Sequence, residues 1–142
     1  MDFAEVSFYL AEASARGFNV GSTAEAYYNQ AITASFDYWE VPNVTSYLAR
    51  TDVAYSTAPG DWREKIGLQF WLAMYNRGFE GWTAWRTLDT PELNLPAITE
   101  NPVPTRYTYP INEQNLNEQN WLNASEVIGG DRQTTRLFWD TQ

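Results

Sequence analysis

The segment from Lys65 to Arg86 most constrains the fold, because it is long, aromatic and amphipathic and yet contains three glycines. A glycine inside a helix costs about 1 kcal/mol relative to alanine. That cost is usually offset by close packing against another element. The segment therefore predicts a long buried helix over 61–88, with Asp61 and Glu64 forming its N-terminal cap. Its inward face is predicted from Ile66, Phe70, Ala73, Met74 and Trp82, with close backbone crossings at Gly78 and Gly81.

Residues 1–40 are predicted to form an antiparallel helical hairpin, because two helical patterns are separated by only about five residues. The buried face of the first helix is predicted from apolar residues at helical spacing, namely Phe3, Val6, Leu10 and Ala13. Ser22 and Glu25 fit a capping box at the start of the second helix, which extends to about Trp39. The hairpin resembles one tetratricopeptide unit, and a single unit needs further helices to cover its face.

Residues 89–142 are predicted to be rich in loops, since prolines are frequent and helical periodicity is weak. A short helix is expected earlier, over 43–50, with Asn43 as its N-cap. Within the loop-rich part, 104–110 alternates in polarity and predicts a short edge strand. A polar helix is expected over 112–123, and the glycines at 129–131 indicate a turn.

Composition excludes several classes of function. The chain has no cysteine and no histidine, which excludes the usual zinc patterns and nucleophilic catalysis assisted by histidine. Its net charge of -9 would repel phosphate backbones, so we expect no nucleic-acid partner. No apolar run is long enough for a transmembrane helix. No metal or cofactor is predicted.

One carboxylate has an aromatic setting that could suit a glycosidase. Glu80 is surrounded by aromatic residues, but a glycosidase needs a second poised carboxylate, and no other acid has a comparable setting. A buried ion pair between Glu80 and Arg77 or Arg86 is the favoured interpretation. We therefore assign no catalytic residue.

Four segments carry a resemblance to a known family. They are Glu5–Ala13 with Gly17, Lys65–Arg86, Arg106–Pro110 with Glu113, Asn117 and Asn120, and Gly129–Asp131 with Leu137–Asp140. In order and spacing they resemble the C-terminal part of SusD-like (SusD/RagB) nutrient-binding outer-membrane lipoproteins. Two positions depart from the family pattern, since Thr87 stands where a second arginine is usual and Ala84 replaces an acidic residue.

The resemblance implies a mostly α-helical fold, with residues 1–142 as a single domain that is the C-terminal portion of a larger protein. It implies a non-enzymatic lipoprotein exposed on the bacterial outer membrane, whose lipid anchor is not in this chain. Such a protein captures oligosaccharides or other nutrients for a SusC-type TonB-dependent transporter. It further implies structural roles for a Glu80–Arg86 pair and for Trp82 and Trp85. The alternative is a tetratricopeptide-like module that binds another protein.

The family motifs carry no ligand-binding residue over to this chain. Aromatic side chains are the natural platforms for sugar rings, although most aromatic residues pack in cores. Trp39 at the exit of the second helix, and Tyr107 and Tyr109 in the proline-rich stretch, are therefore the predicted ligand-binding residues.

Overall fold

The computed structural model describes residues 1–94 and 103–140, and every regular element within them is a helix. The mostly α-helical fold class is confirmed. The chain divides into two compact units, the first from Met1 to Glu92 and the second from Leu93 to Gln142, whereas its length suggests one domain. The first unit contains helices α1 (Phe3–Ala15), α2 (Ala24–Tyr38), α3 (Val44–Leu48), α4 (Trp62–Ala73) and α5 (Gly78–Leu88). The second contains α6 (Ile111–Leu116) and α7 (Glu118–Val127).

Helices α1 and α2 form the predicted hairpin, and local chemistry sets where they begin. The Asp2 carboxylate caps α1 by accepting a hydrogen bond from the Glu5 amide at 2.8 Å. Helix α2 is capped by Thr23, whose hydroxyl accepts from the Ala26 amide at 3.2 Å. The prediction of a capping box at Ser22 was therefore wrong by one residue. Ser22 lies in the linker, where its carbonyl oxygen accepts a hydrogen bond from Ser14.

The buried face of α1 is not the one predicted. Phe3 is 62% exposed and Val6 is also exposed, whereas Phe8 is fully buried. The residues of α1 that are buried are Ala4, Glu5, Ser7, Phe8 and Ala11. Helix α1 carries apolar residues on two sides, and α2 and α4 pack against the side that includes Phe8. Periodicity alone cannot choose between two such sides.

The predicted long helix over 61–88 is two helices, α4 and α5. Its start is as predicted, because Asp61 and Glu64 form a reciprocal capping box. The helix is broken between α4 and α5, where Asn76 adopts a left-handed conformation with φ of 63°. Asparagine is among the few residues that tolerate this conformation. The break lets α5 fold back against α4, with which it makes contact.

Gly67, rather than Gly78 or Gly81, lies where the backbone is most closely approached. A Cβ atom at Gly67 would overlap the methyl group of Thr90 and lie 3.1 Å from the Leu88 Cβ. A Cβ atom at Gly78 would meet nothing within 4 Å, and one at Gly81 would make ordinary contact with Met74 at 3.6 Å. The close packing inferred from the glycines is thus present, but between α4 and the end of α5.

We expect Gly67→Ala to destabilise the chain by about 1–3 kcal/mol, because the added methyl group overpacks the contact with Leu88 and Thr90. The usual gain of an alanine in a helix is too small to offset this overlap. Urea unfolding followed by circular dichroism measures the change. Gly78→Ala is the matched control, since its methyl group enters open space. Equal stabilities of the two variants would contradict the proposed close contact.

The second unit departs from two predictions. Residues 103–110 form no strand; instead, the amides of Thr105 and Arg106 both donate to the Gln133 carbonyl oxygen. The polar helix predicted over 112–123 is divided at Asn117 into α6 and α7. The turn predicted at 129–131 is confirmed, with both glycines at positive φ.

Candidate functional site

An exposed group of three aromatic rings lies where α2 ends and α4 gives way to α5. The Trp39 ring meets the Tyr38 ring edge to face, with centroids 5.1 Å apart, and the Tyr75 ring at 5.8 Å. Trp39 is 41% exposed, and the two tyrosines are exposed more fully. We call Tyr38, Trp39 and Tyr75 the aromatic platform. The helix break places Tyr75 there, because this residue lies in the turn after α4.

An apolar groove of about 270 Å³ runs beside Trp39. It is lined by Ile32, Ser35, Phe36, Trp39, Val41, Tyr47, Gln69, Leu72 and Ala73. One hydrogen-bonded pair interrupts the apolar lining, because the Tyr47 hydroxyl donates to Gln69 Oε1 at 2.9 Å. A concave, mostly apolar surface with a few placed polar groups is typical of small-molecule sites.

A smaller pocket, of about 110 Å³, also borders Trp39 and includes Arg77. The Arg77 guanidinium donates to Asp2 at 2.7 Å, to Glu5 at 2.8 Å and to Glu80 at 3.2 Å. Glu5 is buried, so this arginine neutralises a carboxylate that is shielded from water. Arg77 therefore connects α1 to the start of α5, and it lines the smaller pocket.

Glu80 forms the predicted ion pair with Arg77, but the pair is not buried. The Glu80 side chain is 40% exposed. Its own backbone N–H and the Arg77 guanidinium hold the pKa of Glu80 below its ordinary value. A general acid at neutral pH needs a raised pKa instead. The environment of Glu80 thus gives no support to a glycosidase.

The other residues for which the resemblance implies structural roles are Trp82, Trp85 and Arg86, and each makes a contact on α5. The Arg86 guanidinium lies over the Trp82 ring, 4.3 Å from its centroid. The Trp85 indole nitrogen donates to the Pro91 carbonyl oxygen at 3.0 Å. These contacts hold the chain that follows α5 against that helix.

The structure places Trp39 in the first unit and the other two predicted ligand-binding residues, Tyr107 and Tyr109, in the second. Tyr107 is 69% exposed. Tyr109 is half-buried, and Arg106 lies 5.0 Å from the centroid of its ring. One face of Tyr109 is therefore occupied, whereas most of the Tyr107 side chain is exposed to solvent.

A buried carboxylate organises the residues around Tyr109. Asp131 accepts hydrogen bonds from Arg106 at 2.8 Å, from the Tyr109 amide at 3.0 Å and from the Trp121 indole at 2.9 Å. Burial acts to raise the pKa of Asp131, but these hydrogen bonds together hold it below the ordinary value. Asp131 thus joins the loop before α6, helix α7 and the turn after it.

Sequence reasoning identified Trp39 but missed Tyr38, Tyr75 and Gln69. The sequence signal for Tyr75 is its spacing of three residues from Leu72 and six from Gln69, which predicts one face of the long helix expected over 61–88. That signal is weak, because the inward and outward faces of this helix are both aromatic.

Neither a metal centre nor a membrane span is found in the described part of the chain. Within residues 1–94 and 103–140, no three acidic side chains cluster in a way that could hold a metal ion. None of the helices in these ranges is long and apolar enough to cross a membrane.

A family model described as SusD-like, starch-binding and associating with the outer membrane, matches residues 1–110. The chain belongs to the SusD-like family. This confirms the resemblance seen in the four sequence segments. No curated protein sequence matches the chain.

Solved structures of SusD-like proteins share the fold. A SusD-like protein from Bacteroidetes is 29% identical, with a TM-score of 0.84 over 100% of this chain and 30% of its own. A SusD homologue from Bacteroides uniformis is 29% identical, with a TM-score of 0.80 over 100% of this chain and 37% of its own. A chitin-binding SusD homologue from Flavobacterium johnsoniae is 27% identical, with a TM-score of 0.80 over 100% and 36%. The chain thus spans about a third of these proteins.

Proposed function

We propose that this chain belongs to a non-enzymatic protein that captures glycans at the bacterial cell surface. The observation that carries the proposal is the aromatic platform beside the apolar groove. Family membership supports it, since the family is described as starch-binding and one similar structure is that of a chitin-binding protein. The lowered pKa of Glu80, the one acid with an aromatic setting, supports the non-enzymatic part of the proposal.

The platform has the chemistry to bind a sugar ring. A pyranose ring presents an apolar C–H face, which packs against an exposed aromatic face, while its hydroxyl groups remain in water. The residues on either side of the Tyr38–Trp39 pair, Asp37 and Glu40, are both acidic and exposed. Together with the net charge of -9, they favour neutral glycans over anionic ones.

The proposal includes attachment to the outer membrane by a lipid, and delivery of the glycan to a SusC-type TonB-dependent transporter. Association with the outer membrane is part of the family description. The chain spans about a third of the length of its solved relatives. The proposal therefore does not require every binding residue to lie within it.

Trp39→Ala is expected to weaken binding of maltoheptaose or chitohexaose at least tenfold, because it removes the ring that joins the platform to the groove. Tenfold corresponds to about 1.4 kcal/mol of binding free energy. Trp39→Phe keeps an aromatic face and is expected to retain part of the affinity. Isothermal titration calorimetry measures the dissociation constants, and a thermal melt checks that each variant remains folded.

Phe79→Ala is the matched control, because Phe79 is an exposed aromatic residue of the same unit that lies outside both the platform and the groove. Tyr107→Ala, made in parallel, tests the predicted site in the second unit. If Trp39→Ala binds as tightly as the unmodified chain while Tyr107→Ala does not, the site lies in the second unit.

The alternative function, a module that binds another protein, is favoured by one observation. Phe3 and Val6 on α1 are exposed, although helical periodicity marks them as an apolar face. An exposed apolar face of this kind is typical of protein contacts. Absence of affinity for every glycan tested would contradict glycan capture and favour this alternative.

A further inference from the structure

We propose that the smaller pocket beside the aromatic platform binds the quaternary ammonium group of a small organic cation such as choline. This inference goes beyond glycan capture, because it concerns a second class of ligand and does not require that a sugar bind. It follows from the arrangement of the aromatic rings around the pocket, from the volume of the pocket, and from the charges that surround it.

The three rings of the aromatic platform all line the smaller pocket. The Tyr38 and Trp39 ring planes meet at 89°, and the Trp39 and Tyr75 planes meet at 64°. When the edge of one ring lies against the face of another, the two rings form a corner that presents one face of each. The face of an aromatic ring is the negative part of its quadrupole. A cation held in such a corner is therefore attracted by more than one ring.

The volume of the pocket suits a compact group. It is about 110 Å³, whereas the sites of drug-sized ligands begin at about 300 Å³. A trimethylammonium group is small and nearly spherical, and its methyl groups pack well against aromatic faces. It has no N–H donor, so its burial leaves no hydrogen bond unmade. A primary ammonium group would instead bring N–H donors that lose their hydration.

The charges around the pocket favour a cation, although Arg77 is part of the lining. The Arg77 guanidinium donates to three carboxylates, which belong to Asp2, Glu5 and Glu80. The N-terminal ammonium group lies 3.6 Å from Glu5. Even with this group included, three negative charges face two positive ones. An anion in the pocket would therefore be repelled by carboxylates that already engage the guanidinium.

The surface near the pocket favours a simple cation over a zwitterionic head group. Asp37 and Glu40, which flank the Tyr38–Trp39 pair in sequence, are both exposed. Their carboxylates attract an approaching quaternary ammonium ion and repel the phosphate of phosphocholine. The structure therefore favours choline over phosphocholine, and hence over the surface of a phosphatidylcholine membrane.

The test compares choline with its uncharged isostere, the alcohol in which a tert-butyl group replaces the trimethylammonium group. Nuclear magnetic resonance titrations of the chain follow the Trp39 indole N–H and the backbone amides of Tyr75 and Asn76, which line the pocket. We expect choline to bind about tenfold more tightly than the alcohol, because the two differ in charge and hardly in shape. Phosphocholine, titrated in parallel, should bind more weakly than choline.

Two variants test whether the rings carry this preference. Tyr75→Leu keeps an apolar side chain but removes one aromatic face, and is expected to lower the preference for choline several-fold. Trp39→Leu removes the ring that both ring pairs share, and should bring the preference close to one. Phe79→Leu is the matched control, because Phe79 is exposed and lies outside the pocket lining, and its preference should be unchanged. A thermal melt checks the folding of each variant, and Tyr75 is 73% exposed, so its replacement is expected to leave the fold intact.

Equal affinities for choline and the alcohol would overturn the inference, as would a preference that is unchanged in both folded variants. Tighter binding of phosphocholine than of choline would overturn the choice of a simple cation. Absence of choline binding, while maltoheptaose or chitohexaose still binds, would overturn the inference and leave glycan capture standing. A choline preference that depends on the rings, without affinity for any glycan, would support the inference and contradict the proposed function.

Discussion

Replacing Phe70 by alanine is expected to lower the free energy of unfolding of the first unit by about 3–5 kcal/mol. Phe70 is 2% exposed. Its ring stacks on the Phe8 ring, with centroids 5.0 Å apart, and meets the Tyr9 ring edge to face at 5.2 Å. Truncation leaves a cavity where α1 and α4 meet, which neighbouring side chains can fill only in part. Urea unfolding followed by far-ultraviolet circular dichroism measures the loss.

Phe79→Ala is the control for this experiment, because it makes the same chemical change at a residue that is 68% exposed. It should change the unfolding free energy by no more than about 0.5 kcal/mol. If Phe70→Ala were as mild as Phe79→Ala, the packing of α4 on α1 would not be the core of this unit. A change in the slope of the transition, rather than its midpoint, would indicate altered compactness instead of lost packing.

Replacing Asp131 by asparagine is expected to destabilise the second unit by about 3–5 kcal/mol, because it breaks a buried ion pair. The side chains of Asp131 and Arg106 are 3% and 7% exposed. An amide would present N–H donors to groups that are themselves donors, and Arg106 would keep a buried charge without its partner. Amide hydrogen exchange across 103–140 reports the change, and the Tyr109 amide reads it directly because it donates to Asp131. At 3 kcal/mol, exchange accelerates by about a hundredfold.

The same substitution should have a pH-dependent effect with a defined sign. Because the pKa of Asp131 is lowered from 3.8 in the folded chain, its stabilising contribution is complete above that ordinary value. The contribution is lost as the pH falls below 3.8 and through the lower folded pKa. The difference in unfolding free energy between the unmodified chain and Asp131→Asn should therefore shrink in acid. Urea unfolding at successive pH values tests this.

Asp52→Asn, in the first unit, is the control for the chemical change itself, and urea unfolding measures its effect. Asp52 pairs with Arg50 at 2.6 Å, but both side chains are more than half exposed. Exposed pairs of this kind contribute little, so no measurable change in stability is expected. Equal behaviour of Asp52→Asn and Asp131→Asn would show that Asp131 does not organise its surroundings.

Much of the fold was predictable from local chemistry. The capping box of Asp61 and Glu64 and the glycine turn at 129–131 depend on residues close together in sequence, and both are present. The start of α2 was misplaced by one residue, because Ser22 and Thr23 are both competent caps and only the path of the linker selects between them. Local chemistry thus identifies an element more reliably than its first residue.

The break between α4 and α5 was not predictable, because the sequence from Lys65 to Arg86 satisfies helical periodicity throughout. The break depends on Arg77, which must reach Asp2 and Glu5 more than 70 residues earlier in the chain. The same break brings Tyr75 beside Trp39. The position of Tyr75 in the candidate site therefore depends on the contact of Arg77 with Asp2 and Glu5, which are distant in the chain.

By itself, the sequence determined the helical class, the family and Trp39 as a candidate for ligand binding. These depend on the spacing of residues along the chain, which a single sequence displays directly. Only the tertiary structure decided which side of α1 is buried, where the long helix breaks, that Tyr75 lies beside Trp39, and that Tyr47 and Gln69 line the same groove as Trp39. Each of those outcomes depends on which of several equally apolar surfaces finds a partner, and local periodicity carries no information about that choice.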